Sequence, residues 1–170
     1  MNLKSFIRDV PDFPKKGILF KDITTLLKDP AALKEAVHQM SEAFRSSGVT
    51  QVCGIESRGF IFGAPLALAL NAGFVPVRKP GKLPASKITE EYALEYGTDK
   101  IEIHTDAVQK GEKVLIVDDL LATGGTAAAC VRLLKKMGAN IVGIAFLIEL
   151  EFLSGRKQLE GQKVVSLIKY

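Results

Sequence analysis

The stretch Lys113-Val114-Leu115-Ile116-Val117-Asp118-Asp119-Leu120-Leu121-Ala122-Thr123-Gly124-Gly125-Thr126 decides the fold. Its first five residues are a β-branched and leucine run, the composition of a strand covered on both faces. The chain then passes through an acidic pair and a small-residue turn into a helix ending near Gly138, and residues 141–147 read as another strand. Strand, helix and strand with short links predict a right-handed crossover and a parallel sheet. The expected class is α/β, a central mostly parallel sheet flanked by helices.

Ligands of such a sheet bind beyond the carboxyl ends of its strands. There the sequence offers Gly124 and Gly125, which let the backbone approach an anion, and the hydroxyls of Thr123 and Thr126. The first turn of the following helix adds unpaired N–H groups and the positive end of its dipole. A Walker loop is excluded, since it needs a Gly-Lys-Ser/Thr ending and the next lysine is Lys135. A dinucleotide fingerprint is excluded because its glycines are spaced and these are adjacent. Carboxylates beside a phosphate repel it unless they face something else, such as ribose hydroxyls or a cation. Phosphate cradle, diol and acid together describe a ribose 5-phosphate site; the plainer alternative is an acidic, glycine-containing strand-to-helix turn.

Working outward, Asp29-Pro30 opens a helix to about residue 46, with Leu33, Val37, Met40 and Phe44 at helical spacing and Gly48 ending it. Residues 51–55 read as a buried strand, 60–70 as an apolar helix and 74–77 as a second short strand. Residues 1–30 are expected to be irregular, and 79–89 to form a long mobile loop. Alternation at 92–96 and 100–104 suggests strands flanking a turn at Gly97-Thr98-Asp99, and 163–168 a final strand. The length of 170 residues suits one domain spanning 1–170. Cys53 and Cys130 sit among apolar neighbours with no paired spacing, so they read as reduced packing residues. No secretory signal or bilayer-length apolar run is present, and the expected compartment is the cytoplasm. The net charge of +4 is spread in short clusters at Lys15-Lys16, around Arg78-Lys79 and at Lys135-Lys136, each read by default as solvated surface. His38 and His104 are expected to be structural.

The string Val117–Thr126 resembles the 5-phosphoribosyl 1-pyrophosphate (PRPP) signature of the type I phosphoribosyltransferases. That resemblance implies their fold, with a small N-terminal hood over about residues 1–30 and a flexible flap over about 79–97. It places the 5-phosphate on Ala122, Thr123, Gly124, Gly125 and Thr126, and the ribose hydroxyls on Asp118 and Asp119. Glu56-Ser57-Arg58-Gly59-Phe60 is similar to the family's pyrophosphate loop, which carries a non-proline cis peptide, here between Glu56 and Ser57. An arginine fork at a strand end also suits phosphate oxygens in its own right. Ser57, Arg58, Arg78, Lys79 and Lys82 are the expected pyrophosphate ligands, with Arg78 reaching a partner's site in a homodimer.

Further segments are similar to the adenine-using members of the family. Pro11-Asp12-Phe13-Pro14 with Gly17-Ile18-Leu19-Phe20-Lys21 looks like the hood, and implies adenine contacts from Leu19, Phe20 and Lys21, largely through main chain. Leu94-Glu95-Tyr96-Gly97 implies that Glu95 handles a proton at purine N7, with Tyr96 stacking or orienting. Glu95 and Arg58 are the expected catalytic residues. The implied reaction is adenine plus PRPP giving AMP plus pyrophosphate, a purine-salvage step, with Mg2+ carried by PRPP and no direct metal ligands. Neither nucleic acid nor membrane is an expected partner. The alternatives are transfer to guanine, hypoxanthine or xanthine, and a non-catalytic PRPP-binding regulator, which would need a DNA-binding domain that this length does not accommodate.

Overall fold

A computed structural model describes residues 1–94 and 96–170. The first thirty residues, expected to be irregular, contain an antiparallel pair, β1 (Arg8–Pro11) and β2 (Leu19–Asp22), followed by a short helix α1 (Thr24–Leu27). Their sequence lacks apolar alternation because cross-strand charge pairs help hold them. Arg8 stands opposite Asp22 and Asp9 opposite Lys21, with side-chain contacts of 2.5 and 2.6 Å. Helix α2 (Pro30–Phe44) begins where expected, Asp29 accepting from the amides of Ala31 and Ala32 at 3.0 and 2.9 Å. Its buried face is Ala32, Ala36, Met40 and Phe44, with Leu33 and Val37 at the margin.

Then follow β3 (Gln51–Ile55), α3 (Gly59–Ala69), β4 (Gly73–Val77), β5 (Lys87–Ala93), β6 (Thr98–His104), β7 (Lys113–Leu121), α4 (Gly125–Lys136), β8 (Asn140–Glu149) and β9 (Val164–Lys169). Two 3-10 turns, Glu151–Leu153 and Gly155–Leu159, join the last two strands. Among the described residues, β4-β3-β7-β8-β9 form one sheet in that order, every pairing parallel. The unbroken apolar run of β7 is explained by its central place. Val114 and Ile116 enter a core with Leu133 and Leu134 of α4, while Leu115 and Val117 enter another with Met40, Phe44, Phe62 and Leu66. Cys53 and Cys130 are free and buried, as expected. Among the described residues no helix is long and apolar enough to cross a membrane.

Two boundaries differ from expectation in ways that shape the site. Strand β7 continues past Val117, so the acidic pair lies within the strand, with Asp118 opposite Phe146 and Leu120 opposite Ile148. The long loop after Lys79 is shorter than expected, because residues 87–89 already belong to β5, which pairs antiparallel with β6 and ends at Ala93. The inward positions of β5 are Ile88, Glu90 and Tyr92, and the carboxylate among them hid the alternation. Glu90 faces inward because Arg132 and Lys136 of α4 clasp it at 2.8 and 2.5 Å, so Lys136 is not merely solvated surface. Both cations hold the Glu90 carboxyl below its ordinary range. His104 serves a structural contact, its Nε2 accepting from the Ala85 amide at 3.3 Å, while His38 is exposed, 3.8 Å from Glu42.

Candidate active site

The carboxyl end of β7 opens into a concave loop lined by Asp118, Ala122, Thr123, Gly124, Gly125 and Thr126. Gly124 has φ of 86° and begins α4 without any side-chain cap, so the first-turn amides are left for a ligand. A Cβ on Gly124 would lie 2.4 Å from the Gly155 carbonyl oxygen, so both conformation and packing demand glycine there. Gly125 differs. It has no left-handed φ, and a Cβ would meet only the Ala93 carbonyl and Tyr92 ring at 3.6 Å.

Beside this cradle the two carboxylates take different environments. Asp119 is 7 % exposed, and its Oδ2 meets Arg58 Nε at 2.6 Å. Asp118 accepts the Asp119 amide at 2.8 Å, and burial together with the Asp119 carboxylate pushes it well above the usual carboxylate range. The start of α3 presses on this strand end, since a Cβ on Gly59 would lie 2.7 Å from the Val117 carbonyl. Ser57 and Arg58 thereby face Asp118, Asp119, Thr126 and Lys79 across one pocket. The Glu56–Ser57 peptide is cis. On its other side Arg58 stands 5.7 Å from the ring centre of Phe20, in an apolar pocket walled by Leu19, Phe20, Leu120, Ile148 and Leu150. Phe13 packs edge-on against Phe20 at 5.1 Å. The cleft therefore runs from an anion cradle, past a carboxylate pair and an arginine, to an apolar slot.

The phosphoribosyl transferase domain family matches residues 22–167. The adenine phosphoribosyltransferase of Halothermothrix orenii is 58% identical over 169 residues, covering 99% of each chain. The chain belongs to the adenine phosphoribosyltransferase family. The crystal structure of the Thermoanaerobacter pseudethanolicus family member superposes with a TM-score of 0.96 at 54% identity, over 99% of this chain and 98% of that one. The Saccharomyces cerevisiae family member, complexed with adenine and an imino-altritol bisphosphate, gives 0.91 at 43% identity, over 97% and 96%.

The site residues expected from the family resemblance are only partly brought together. The Ala122–Thr126 cradle, Asp118, Asp119, Ser57, Arg58 and Lys79 share one cleft with Leu19, Phe20 and Lys21. Lys21 reaches it without its ammonium, which bonds Asp9 at 2.6 Å and lies 3.8 Å from the Tyr170 ring centre. Tyr96 is 84 % exposed, because the hairpin register leaves it in the turn with Gly97 beyond the end of β5. Arg78 is held within its own chain by Glu56 at 3.2 Å, and Lys82 is exposed; neither lines the Arg58 pocket. Burial would raise Glu56, but hydrogen bonds from the Lys79 amide (2.8 Å) and Arg78 prevail and hold it below its ordinary range. Lys79 also gains two partners, donating to the Tyr92 hydroxyl at 2.8 Å and to Asp99; burial lowers its pKa and these bonds raise it, with a net upward shift. Glu95 lies outside the described residues. Sequence reasoning missed Asp99, whose pairing with Lys79 depends on the β5–β6 register. It also missed Leu120, Ile148 and Leu150 as pocket walls, which carry no mark separating them from core.

Proposed function

We propose that this chain transfers the phosphoribosyl group of PRPP to adenine, giving AMP and pyrophosphate in purine salvage, as a cytoplasmic homodimer. The observation that carries this reading is the position of Arg58, which is ion-paired with Asp119 beside the phosphate cradle and also faces Phe20 in the apolar slot. A base, a ribose and a diphosphate meet at the anomeric carbon, and Arg58, which lines both the apolar slot and the pocket of the acid pair, marks that place. The yeast family member holds adenine together with a bisphosphate, as this arrangement requires.

In this mechanism the cradle takes the 5-phosphate on main-chain amides and the hydroxyls of Thr123 and Thr126. Asp118 and Asp119 accept from the ribose hydroxyls. Phe20 and Leu120 form the apolar slot that holds the base. As N9 bonds to the anomeric carbon, the bond from that carbon to pyrophosphate breaks, and Arg58, Ser57 and Lys79 face the negative charge that develops. Arg78 adds charge to the partner's site, and the proton that adenine loses as N9 bonds leaves from N7 to the Glu95 carboxylate. The hood and flap exclude water that would hydrolyse PRPP. The donor set at the cleft, two adjacent carboxylates with one already paired to Arg58, fits Mg2+ brought on the substrate rather than caged by protein. When bound, the ion would supply neutralisation of the diphosphate.

The test is adenine-dependent pyrophosphate release from PRPP with Mg2+, run alongside guanine and hypoxanthine. AMP formation with little GMP or IMP is expected. Comparable kcat/KM for all three bases refutes the base assignment, and a monomeric active species in sedimentation refutes the shared-site role of Arg78.

A further inference from the structure

The cradle is a glycine-bearing loop with no side-chain cap of its own, so something outside it must fix its main chain. We infer that the turn at residues 154–158 is its positioning element, with Gln158 setting the orientation of the Thr123–Gly124 peptide. The inference rests on the proposed reading of the cradle as the 5-phosphate site.

Gln158 Nε2 donates to the Thr123 carbonyl oxygen at 2.9 Å, across 35 positions in sequence. Gln158 itself does not line the cradle. The C=O and the following N–H of a trans peptide point in opposite directions. A donor that holds the Thr123 carbonyl therefore also fixes the direction of the Gly124 N–H, and prevents that carbonyl from swinging toward an anion. Gly155 supplies the second constraint. A Cβ on it would lie 2.3 Å from the Ala122 carbonyl and 3.1 Å from the Gly124 nitrogen, so two backbones touch with nothing between them. The turn is itself anchored. Arg156 forks onto Glu149 at 2.6 and 2.7 Å and donates to the Val164 carbonyl at 3.1 Å, while Leu159 is buried in the core that also holds α4. These anchors lie where β7 gives way to the cradle, since Leu150 N–H donates to the Leu121 carbonyl at 2.9 Å. The cradle is thus braced by residues that do not line it.

The test compares Gln158→Ala, Gln158→Glu and Gln158→Lys with the wild type. It reads ribose 5-phosphate affinity by titration calorimetry, the KM for PRPP and for adenine, kcat and Tm. Loss of one hydrogen bond should weaken ribose 5-phosphate and raise the PRPP KM about three- to tenfold in Gln158→Ala. Gln158→Glu, which sets a carboxylate against the carbonyl, should do more. Gln158→Lys keeps a donor and should stay within about twofold of wild type on the same hydrogen-bond scale. Adenine KM and kcat should hardly move and Tm should fall by no more than about 2–4 °C, the worth of one hydrogen bond, whereas a merely structural role would lower Tm without a selective loss of phosphate affinity. Unchanged phosphate affinity in both Gln158→Ala and Gln158→Glu, or an equal loss in Gln158→Lys, overturns the inference alone. A wild type that binds no ribose 5-phosphate overturns the functional reading as well.

Discussion

Gly124 and Gly125 are neighbours in the cradle, yet alanine should act on them in opposite ways. At Gly124, φ is 86°, and an L-residue in that left-handed region costs about 1–2 kcal/mol. The added methyl would also lie 2.4 Å from the Gly155 carbonyl oxygen, a backbone atom that cannot rotate aside. The two effects together should cost about 2–3 kcal/mol, a fall in Tm of about 4–12 °C for a domain of this size. At Gly125, the first residue of α4, the methyl finds its nearest neighbours at an ordinary 3.6 Å. Alanine is also the better helix former by about 1 kcal/mol, so Gly125→Ala should leave Tm unchanged or raise it by a few degrees. The methyl then stands in the lining of the cradle, and should raise the PRPP KM about tenfold or more by blocking close approach of the phosphate. Differential scanning calorimetry of the ligand-free variants, with steady-state kinetics beside it, separates the two outcomes. Equal Tm shifts, or a Gly125→Ala enzyme with wild-type PRPP KM, would refute the division of labour between the two glycines.

Three further outcomes are expected. Asp118→Asn should raise the Tm of the ligand-free protein at neutral pH while lowering activity: the raised pKa means that ionised Asp118 costs stability as pH climbs above about 4, so the gain should close as pH falls back toward that value. Thermal melts from pH 4 to 8 check this, and a gap that widens on acidification contradicts it. Arg156→Ala strands Glu149, which is 3 % exposed and held below its ordinary range chiefly by Arg156. Because Arg156 is partly exposed, the loss should be about 2–3 kcal/mol at neutral pH, shrinking below about pH 4 as Glu149 protonates; a urea midpoint equal to wild type at pH 7 argues against it. Arg58→Ala should cut kcat/KM for PRPP about 10²–10³-fold, and Arg58→Lys should recover little of it because the planar fork is gone; a loss under tenfold in the alanine variant removes Arg58 from the reaction.

What the sequence revealed, and what it concealed, follows from where charge sits. The central strands β3 and β7 were legible because both faces are buried and their apolar runs are unbroken. The cradle was legible because adjacent glycines, hydroxyls and an acid pair at a strand end have few structural uses. Strands β1 and β2 were not, because Arg8–Asp22 and Asp9–Lys21 are pairs between segments, and a pair cannot be read from one member. Strand β5 was hidden for the same reason, its inward Glu90 making sense only against Arg132 and Lys136. The exposure of Tyr96 was not legible because its position depends on where the hairpin turns. The apolar slot was the least legible part, since Ile148 and Leu150 become pocket walls only through the meeting of β2 with the end of β8.

The acid pair also shows why the site is built at the margin of the fold rather than in its core. Inside β7 the backbone of Asp118 is satisfied by pairing with β8, but its carboxylate is half-buried beside a second one and remains costly to ionise. Arg58 pairs directly with one member only, Asp119, and from a different loop. On the proposed reaction, a diphosphate in the Arg58 pocket competes with Asp119 for the same guanidinium. As Arg58 turns to the diphosphate, Asp119 is freed to accept a ribose hydroxyl. Two uncomfortable carboxylates gain hydrogen-bond donors at the moment the arginine is engaged by the leaving group. On that reaction, the 2.6 Å Arg58–Asp119 contact links recognition of the ribose to recognition of the pyrophosphate, and favours a ligand that carries both over one that carries either alone.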